Sequence, residues 1–358
     1  MSHSIDQEML DALELFYYSS SFSHRRFLCC FETGLDLSKM LLDLRLLLQA
    51  KMEVILILGP DQQRCFPTGY PVVPCQTLED VKPALANAMM PIITLDTDRR
   101  DPWPFDLAKQ FGVERVLWVG SEPGILVNGE VVSHLDLEEF EALLTDQPSL
   151  ALNRYWGQEL GSRLEKEGLD WVFVGGEPGA LFQEIFTHQG SGTLIARSYQ
   201  KNIAQANLND LVDLLFLMRP YVKQGAILPV SEIQIGREIE NYWVYRLNGS
   251  VVVAARCKEY EQDIELGKFC SLPRYQGKGR AQELVKSIAQ TMADQGKRRL
   301  FALTIDQRMG DFFCRLGFET IDRNELPETW AEGYDFSRAS KGYVLELETL
   351  RRTTQVKT

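Results

Sequence analysis

The 358-residue sequence lacks several features on which large classes of protein depend. Its longest apolar runs, Val54 to Leu58 and Leu214 to Met218, are far shorter than the roughly 20 residues that span a bilayer as a helix. The four histidines do not cluster and the seven cysteines show no paired spacing, so we expect no metal site. The first residues are acidic and carry no signal-peptide pattern, and we expect a cytoplasmic protein with reduced thiols.

Positive charge is also scarce, with 38 Lys and Arg against 50 Asp and Glu and a formal net charge of −12. Nucleic acids and anionic membranes favour basic surfaces, so we expect neither as a partner. The hydrophobic fraction of 45% and the charged fraction of 25% are those of ordinary soluble proteins. A chain of this length suits two domains, each with its own core.

Apolar runs alternate with amphipathic stretches through residues 20 to 180. This alternation predicts an α/β fold with a mostly parallel sheet. A hairpin is predicted at Asn128-Gly129 and a helix from Ser149 to Glu167. The strand-like runs include Arg26 to Phe31, Val54 to Leu58, Ile92 to Leu95, Arg115 to Val119 and Trp171 to Val174.

A glycine loop stands out in the second half. It joins a predicted strand, Tyr260 to Phe269, to a predicted helix, Ala281 to Met292. Glycines allow close approach of the backbone, and the unpaired amides and dipole of a helix start favour an anion. The sequence therefore predicts a pyrophosphate cradle, made of Gln276, Gly277, Lys278, Gly279, Arg280 and Ala281.

The spacing Gln276-x-x-Gly279-x-Ala281 resembles the pyrophosphate loop of the GNAT acetyltransferases, which bind acetyl-CoA. A Rossmann loop needs a third glycine and a Walker loop needs Gly-Lys-Ser/Thr, and the loop has neither. A plain turn with a solvated lysine is the remaining alternative. Against it, Lys297 to Leu303 and Asp311 to Phe318 resemble the closing elements of the GNAT fold, in the family's order.

The chain as a whole resembles the N-acetylglutamate synthase family, in which an amino-acid-kinase-like domain precedes a GNAT domain. Residues 115–135 resemble the kinase-fold hairpin and residues 181–195 its ending, while residues 208–225 resemble the first GNAT helix. The resemblance implies an α/β protein with an amino-acid-kinase-like αβα sandwich followed by a GNAT α/β domain. We expect a shortened first domain at 1–195, a linker at 196–204 and the GNAT domain at 205–350.

This resemblance also implies the roles of particular residues in acetyl transfer. Glu265 matches the proposed general base, which we expect to act through water, and Thr304 matches a hydroxyl suspected of protonating the thiolate. The backbone amides of Phe269, Cys270 and Ser271 are expected to polarise the thioester carbonyl. The tyrosine that many GNAT proteins use as the acid is replaced by Phe312-Phe313, but a thiol of pKa about 8.5 can leave unassisted.

The implied acceptor is the α-amine of L-glutamate, in arginine biosynthesis. Its two carboxylates call for basic residues, and Arg219 and Arg338 match the family's substrate segments, with Ser340 and Lys341 as companions. The segment after Gly225 lacks the basic pair commonly found there, and residues 305–309 replace a shorter family segment. Another amino acid or a small amine is therefore the alternative acceptor.

In the first half, Phe27 to Gly34 lacks the lysine and double glycine of a catalytic amino-acid kinase. We expect no phosphoryl transfer. The resemblance implies a scaffold or regulatory domain, with arginine as a possible effector and a homo-oligomer as the assembly. A different class of function is a non-catalytic sensor that binds an amino acid and CoA without turnover.

Overall fold

The structure is a computed structural model that describes residues 7–95, 103–147, 159–167, 169–187, 190–196, 201–247, 249–348 and 350. The chain divides into two compact units, one of Gln7–Tyr199 and one that contains the residues from Gln200 onward. Each unit is built on its own large sheet. The expected α/β fold class is confirmed.

The amino-terminal unit contains an eight-stranded sheet with the strand order β3-β4-β2-β1-β5-β9-β10-β8. All neighbours pair in parallel except β9 and β10. The strands are β1 (Arg26–Phe31), β2 (Glu53–Leu58), β3 (Val72–Pro74), β4 (Met90–Thr94), β5 (Arg115–Gly120), β8 (His134–Asp136), β9 (Asp170–Gly175) and β10 (Thr193–Ala196). The hairpin predicted at Asn128-Gly129 is the strand pair β6 (Leu126–Val127) and β7 (Glu130–Val131).

Helices cover both faces of this sheet. They are α1 (Gln7–Phe22), α2 (Leu41–Gln49), α3 (Val81–Ala86), α4 (Trp103–Phe111), α5 (Leu137–Asp146), α6 (Glu159–Glu167) and α7 (Ala180–Phe186). Side chains of β1 alternate between two cores: Leu28 and Cys30 pack with α4, α5 and α6, whereas Phe27 and Cys29 pack with α2 and α7. Burial on both faces explains why these strands are apolar throughout rather than alternating with polar residues.

Two local contacts shape the end of this unit: one is a hydrogen-bonded helix cap and the other is a close approach of two strands. The buried Asp43 carboxylate accepts hydrogen bonds from the amides of Gly179 and Leu181, at 3.1 Å each, and so caps α7 from α2. A Cβ on Gly192 would lie 2.0 Å from the carbonyl oxygen of Phe173. The turn Gly190-Ser-Gly192-Thr193 therefore needs glycine at position 192, so that β10 can approach β9.

The carboxy-terminal unit contains a seven-stranded sheet with the order β11-β12-β13-β14-β15-β17-β16. Its strands are β11 (Lys201–Gln205), β12 (Tyr242–Leu247), β13 (Ser250–Tyr260), β14 (Asp263–Ser271), β15 (Arg299–Thr304), β16 (Glu319–Ile321) and β17 (Lys341–Glu346). Its helices are α8 (Leu211–Lys223), α9 (Glu232–Arg237), α10 (Arg280–Asp294), α11 (Gln307–Arg315) and α12 (Glu328–Ala331). All pairs are antiparallel except β14 and β15.

Three element predictions differ from the structure or fall partly outside it. The strand predicted from Tyr260 to Phe269 is wrong at its start, because Tyr260 ends β13 and a turn at Glu261, with φ 55°, precedes β14. Within the predicted linker 196–204, residues 201–204 belong to β11, which pairs with β12. Of the helix predicted from Ser149 to Glu167, residues 149–158 lie outside the described part of the chain.

Every cysteine of the sequence has a free thiol in the structure. In the described ranges, no helix combines the length and the apolar character that crossing a bilayer requires.

Candidate functional site

The central strands of the second unit separate from each other. The two parallel strands β14 and β15 pair only where Asp263 to Glu265 meet Arg299 to Phe301. Both strands continue beyond this point, to Ser271 and Thr304, and no pairing between them is found over these described residues. The opposite edge of β14 stays paired with β13 as far as Ser271. The separation leaves an edge of β14 on which an extended ligand can form backbone hydrogen bonds.

The predicted glycine loop lies directly beyond this edge. Gly277 and Gly279 have φ of 78° and 72°, the left-handed conformation that favours glycine. Helix α10 begins at Arg280, and its first backbone hydrogen bond runs from Glu283 N to Gly279 O at 2.9 Å. The amides at the start of α10 precede this first helical bond, and amides in this position are the ones that can bind an anion.

Two side chains of the loop hold protein groups. Arg280 is buried; its Nη1 donates to the Tyr275 carbonyl at 3.2 Å, and its guanidinium lies over the Tyr275 ring. The Gln276 side chain donates from Nε2 to the Tyr221 hydroxyl at 3.0 Å. These two side chains therefore fix the shape of the loop.

Tyr221 is a residue that the sequence analysis missed. Its hydroxyl donates to the Ser271 carbonyl at 2.7 Å, and it accepts from the Ser271 amide at 3.2 Å and from Gln276 Nε2. A phenol has one proton to donate and two lone pairs, and these three bonds use all of them. Tyr221 thereby joins α8, the end of β14 and the cradle. Three amides are predicted to polarise a thioester, and one of them, the Ser271 amide, donates to the Tyr221 hydroxyl in this structure.

Glu265 lies near the start of β14, in the part of the strand that pairs with β15. Its Oε2 accepts from Arg256 Nη2 at 3.1 Å, and its Oε1 accepts from Trp330 Nε1 at 3.4 Å. Both side chains of the ion pair are 14% exposed. Arg256 also pairs with Glu238 at 3.5 Å. The carboxylate is thus oriented by two donors at the closed end of the strand gap.

A β-bulge places a second unpredicted residue, Lys268, beside this gap. The register of β13 and β14 shifts between Ala254 and Arg256, which pair with Cys270 and Gly267. Lys268 has φ 49°, and its Nζ donates to the Leu228 carbonyl at 2.6 Å. Burial, as the largest cause, lowers the pKa of this amine from 10.5 to about 8.

The two predicted arginines lie on different elements. Arg219 lies in the second half of α8, directly before Pro220, and burial lowers the pKa of its guanidinium. Arg338 lies in the loop before β17, where its carbonyl accepts from Arg323 Nη1 at 2.8 Å. The positive charge of Arg338 is one of the influences that lower the pKa of Lys268.

The remaining predicted residues are held by local contacts. Thr304 Oγ1 accepts from the Asp306 amide at 3.0 Å, in the turn after β15. Lys341 pairs with Thr304 across β15 and β17 and donates to Gln307 Oε1 at 3.2 Å. Ser340 is hydrogen-bonded to the Tyr334 hydroxyl at 2.6 Å. Ser340 and Lys341 line a cavity of about 440 Å³, and Glu265 is not in its lining.

The amino-terminal unit has a cavity of its own, of about 420 Å³. Ser121 and Gly175, at the carboxyl ends of β5 and β9, line it together with Glu177 and Ser191. Ligands of open parallel sheets bind at this edge. Among the described residues of the whole chain, no group of three or more potential metal ligands is found.

Residues 208–318 match the acetyltransferase (GNAT) family. The chain is 30% identical over 251 residues to an amino-acid acetyltransferase of Pseudomonas fluorescens, covering 65% of this chain and 54% of that protein. A relative with the same description from Shewanella oneidensis is 28% identical over 250 residues, covering 67% and 56%. The matches thus span only about half the length of these relatives.

Among solved structures, the N-acetylglutamate synthase of Neisseria gonorrhoeae, complexed with coenzyme A and L-arginine, is similar in fold. The TM-score is 0.62 at 19% identity, with 96% of this chain and 100% of that chain covered. The separated strands β14 and β15 and the glycine loop all lie within the matched residues. The chain is therefore similar to the amino-acid acetyltransferases, and residues 208–318 match the GNAT family.

Proposed function

We propose that the chain transfers the acetyl group of acetyl-CoA to the α-amine of an amino acid, with L-glutamate as the expected acceptor, in arginine biosynthesis. One observation carries this proposal: β14 leaves its parallel neighbour and leads directly into the glycine loop at the start of α10. The free edge of β14 is therefore followed directly by an anion site. Acetyl-CoA has matching parts in the same order, because its extended pantetheine arm is joined to a pyrophosphate.

In this proposal the backbone amides from Gly277 to Ala281 bind the pyrophosphate of acetyl-CoA. Lys278 adds positive charge, and Tyr221 keeps the loop aligned with the strand. The acyl arm runs along the free edge of β14, where the amides of Phe269 and Cys270 are the candidates to polarise the thioester carbonyl. Acetyl-CoA is a cosubstrate that leaves as CoA.

The transfer is direct. The acceptor amine gives a proton to Glu265, through water, and its nitrogen then attacks the thioester carbon. A carbon–nitrogen bond forms, the carbon–sulfur bond breaks, and the nitrogen loses its second proton to solvent. The CoA sulfur leaves as a thiolate that takes up a proton, with Thr304 as the candidate donor, and the Thr304 hydroxyl regains its proton from solvent. An acyl-enzyme is not required, and burial raises the pKa of the nearby Cys270 thiol, which disfavours the thiolate that a cysteine nucleophile needs.

The acceptor is assigned to the space between the bulge, α8 and the loop before β17. Arg219 and Arg338 are the proposed ligands of its carboxylates, and Ser340 and Lys341 the weaker companions. Residues 226–231 contribute no basic side chain. This observation favours a second candidate function, acetylation of another amino acid or a small amine by the same chemistry.

For the amino-terminal unit we propose a scaffold or regulatory role without phosphoryl transfer. Arginine is proposed as its effector and a homo-oligomer as its assembly. The cavity lined by Gly175 and Glu177 is the place to test for binding of the effector. A sensor that binds an amino acid and CoA without turnover is the alternative from a different class. It is favoured by the engagement of Glu265 with Arg256 and of Thr304 with Asp306.

Release of CoA thiol from acetyl-CoA, followed separately with each of the twenty amino acids, tests the proposal. Release with glutamate alone supports the full proposal, and release with another amino acid supports the second acceptor. If isothermal titration detects binding of CoA and an amino acid but no thiol is released, the sensor replaces the enzyme.

A further inference from the structure

Lys268 occupies a strained position in an otherwise regular strand. Because Ala254 pairs with Cys270 and Arg256 pairs with Gly267, two residues of β14, Lys268 and Phe269, stand opposite one residue of β13. The φ of 49° at Lys268 is one that residues other than glycine rarely adopt. Such strain costs on the order of 1–3 kcal/mol and is found preferentially at functional sites.

The bulge turns the Lys268 amine toward a segment that has no cation of its own. Nζ lies 2.6 Å from the carbonyl oxygen of Leu228, within Ala226-Ile-Leu-Pro-Val-Ser231. An ammonium group has three N–H donors, and the bond to Leu228 uses one. Lys268 thus supplies positive charge and further donors to this wall of the acceptor space.

The charges around the amine are arranged for an additional anion. Arg256 is compensated by ion pairs with Glu265 and Glu238. Burial, and then the charges of Arg256 and Arg338, lower the pKa of Lys268, and Glu265 and Glu238 oppose this effect. A partly buried ammonium group that other cations repel raises the free energy of the unliganded protein, and a carboxylate bound beside it lowers it.

We propose that Lys268 binds one carboxylate of the amino-acid acceptor and thereby selects carboxylate-bearing acceptors over their amides. This assignment rests on the proposed function of the same site, and it adds a specificity-determining residue from β14. A lysine ammonium is a compact charge on a flexible stem. It can meet a carboxylate without the fixed planar geometry that an arginine imposes.

The test is calorimetric titration of amino acids into the full chain saturated with CoA. Glutamate, glutamine and glutamate α-amide are compared for the wild type, Lys268→Met and Lys286→Met, the last being a matched control on the exposed side of α10. We expect Lys268→Met to weaken glutamate binding at least tenfold and Lys286→Met to leave it unchanged. For the amide that lacks the bound carboxylate, the effect of Lys268→Met disappears, because the interaction is already lost.

Equal affinities of Lys268→Met and wild type for glutamate would overturn the proposal, as would an equal loss for glutamate and both amides. Absence of amino-acid binding by the wild type would also overturn it. The thermal transition of each variant is measured on the same samples to show that it is folded. Binding that depends on Lys268 without release of CoA would reject acetyl transfer and leave the assignment of Lys268 standing.

Discussion

Arg256 holds Glu265 in place: Nη2 of the arginine lies 3.1 Å from Oε2 of the glutamate, and the two residues sit on adjacent strands of one sheet. The second Glu265 oxygen accepts from Trp330. The two donors fix the direction in which each carboxylate oxygen points. Glu265 therefore has structural contacts whose loss must be separated from a loss of catalysis.

The first prediction concerns this carboxylate. Glu265→Gln keeps the volume of the side chain but removes the base, and we expect kcat to fall by about 10²–10³, within the range of general-base contributions. The rate of the variant should recover as pH rises toward the pKa of the acceptor amine, because the free amine then needs no base. Steady-state rates from pH 6 to 10 measure this.

Glu240→Gln, at an exposed site in the same unit, is the control and should behave as the wild type. A purely structural role of Glu265 would give a lower melting temperature and an equal loss of rate at every pH.

The second prediction concerns the cradle. Gly279→Ala places a Cβ where nothing lies within 4 Å, but at φ 72°, so it costs backbone strain of about 1–2 kcal/mol. We expect the KM for acetyl-CoA to rise about tenfold, because relief of the strain moves the amides at the start of α10. The KM for the acceptor should change little.

Gly296→Ala is a matched control, since Gly296 has φ 84° and equally open surroundings at the far end of the same helix. It should lose similar stability without any change in the KM for acetyl-CoA. An equal KM in both variants would contradict the placement of the pyrophosphate.

The third prediction concerns Tyr221. Tyr221→Phe removes the hydroxyl that joins the end of β14 to Gln276 and leaves the ring in place. We expect the KM for acetyl-CoA to rise three- to tenfold with kcat reduced less than threefold, as loss of a positioning hydrogen bond of about 1 kcal/mol implies. A loss confined to kcat would instead assign Tyr221 to proton transfer. Gln276→Ala should give the same phenotype, and the double variant should add little.

The fourth prediction follows from the pKa of Lys268, which burial lowers from 10.5 to about 8. Below pH 8 the amine is charged in both the folded and unfolded protein, and its burial destabilises the fold. Between pH 8 and 10.5 the unfolded chain binds more protons, so the contribution of this group to stability rises with pH. Lys268→Met should therefore melt a few degrees above the wild type at pH 7, and the difference should shrink by pH 10. A variant that melts lower at pH 7 would contradict this account.

The sequence predicted the glycine loop between β14 and α10 because its signal is local. Gln276, Gly277 and Gly279 are adjacent in sequence, and a glycine pattern before an amphipathic helix has few structural interpretations. The parallel sheet of the first unit was predicted for a similar reason. Strands such as β1 are covered by helices on both faces, and their continuous apolar runs reveal it.

Lys268 could not be predicted in this way. A bulge changes which side of a strand a residue faces, and nothing in the letters around Lys268 marks the extra residue. Tyr221 was missed because its partners, Ser271 and Gln276, lie about fifty residues away in the sequence. The turn at Glu261 was missed because it has a positive φ without a glycine.

The central claim is that the acetyl group moves from CoA to the α-nitrogen of an amino acid. The most direct test uses acetyl-CoA with a ¹³C-labelled carbonyl and ¹⁵N-labelled glutamate, with the products followed by carbon–nitrogen coupling in NMR spectra. The account predicts a directly bonded ¹³C–¹⁵N pair that forms at the rate of CoA release. Release of labelled acetate without such a pair, or no consumption of acetyl-CoA with any of the twenty amino acids, would contradict it.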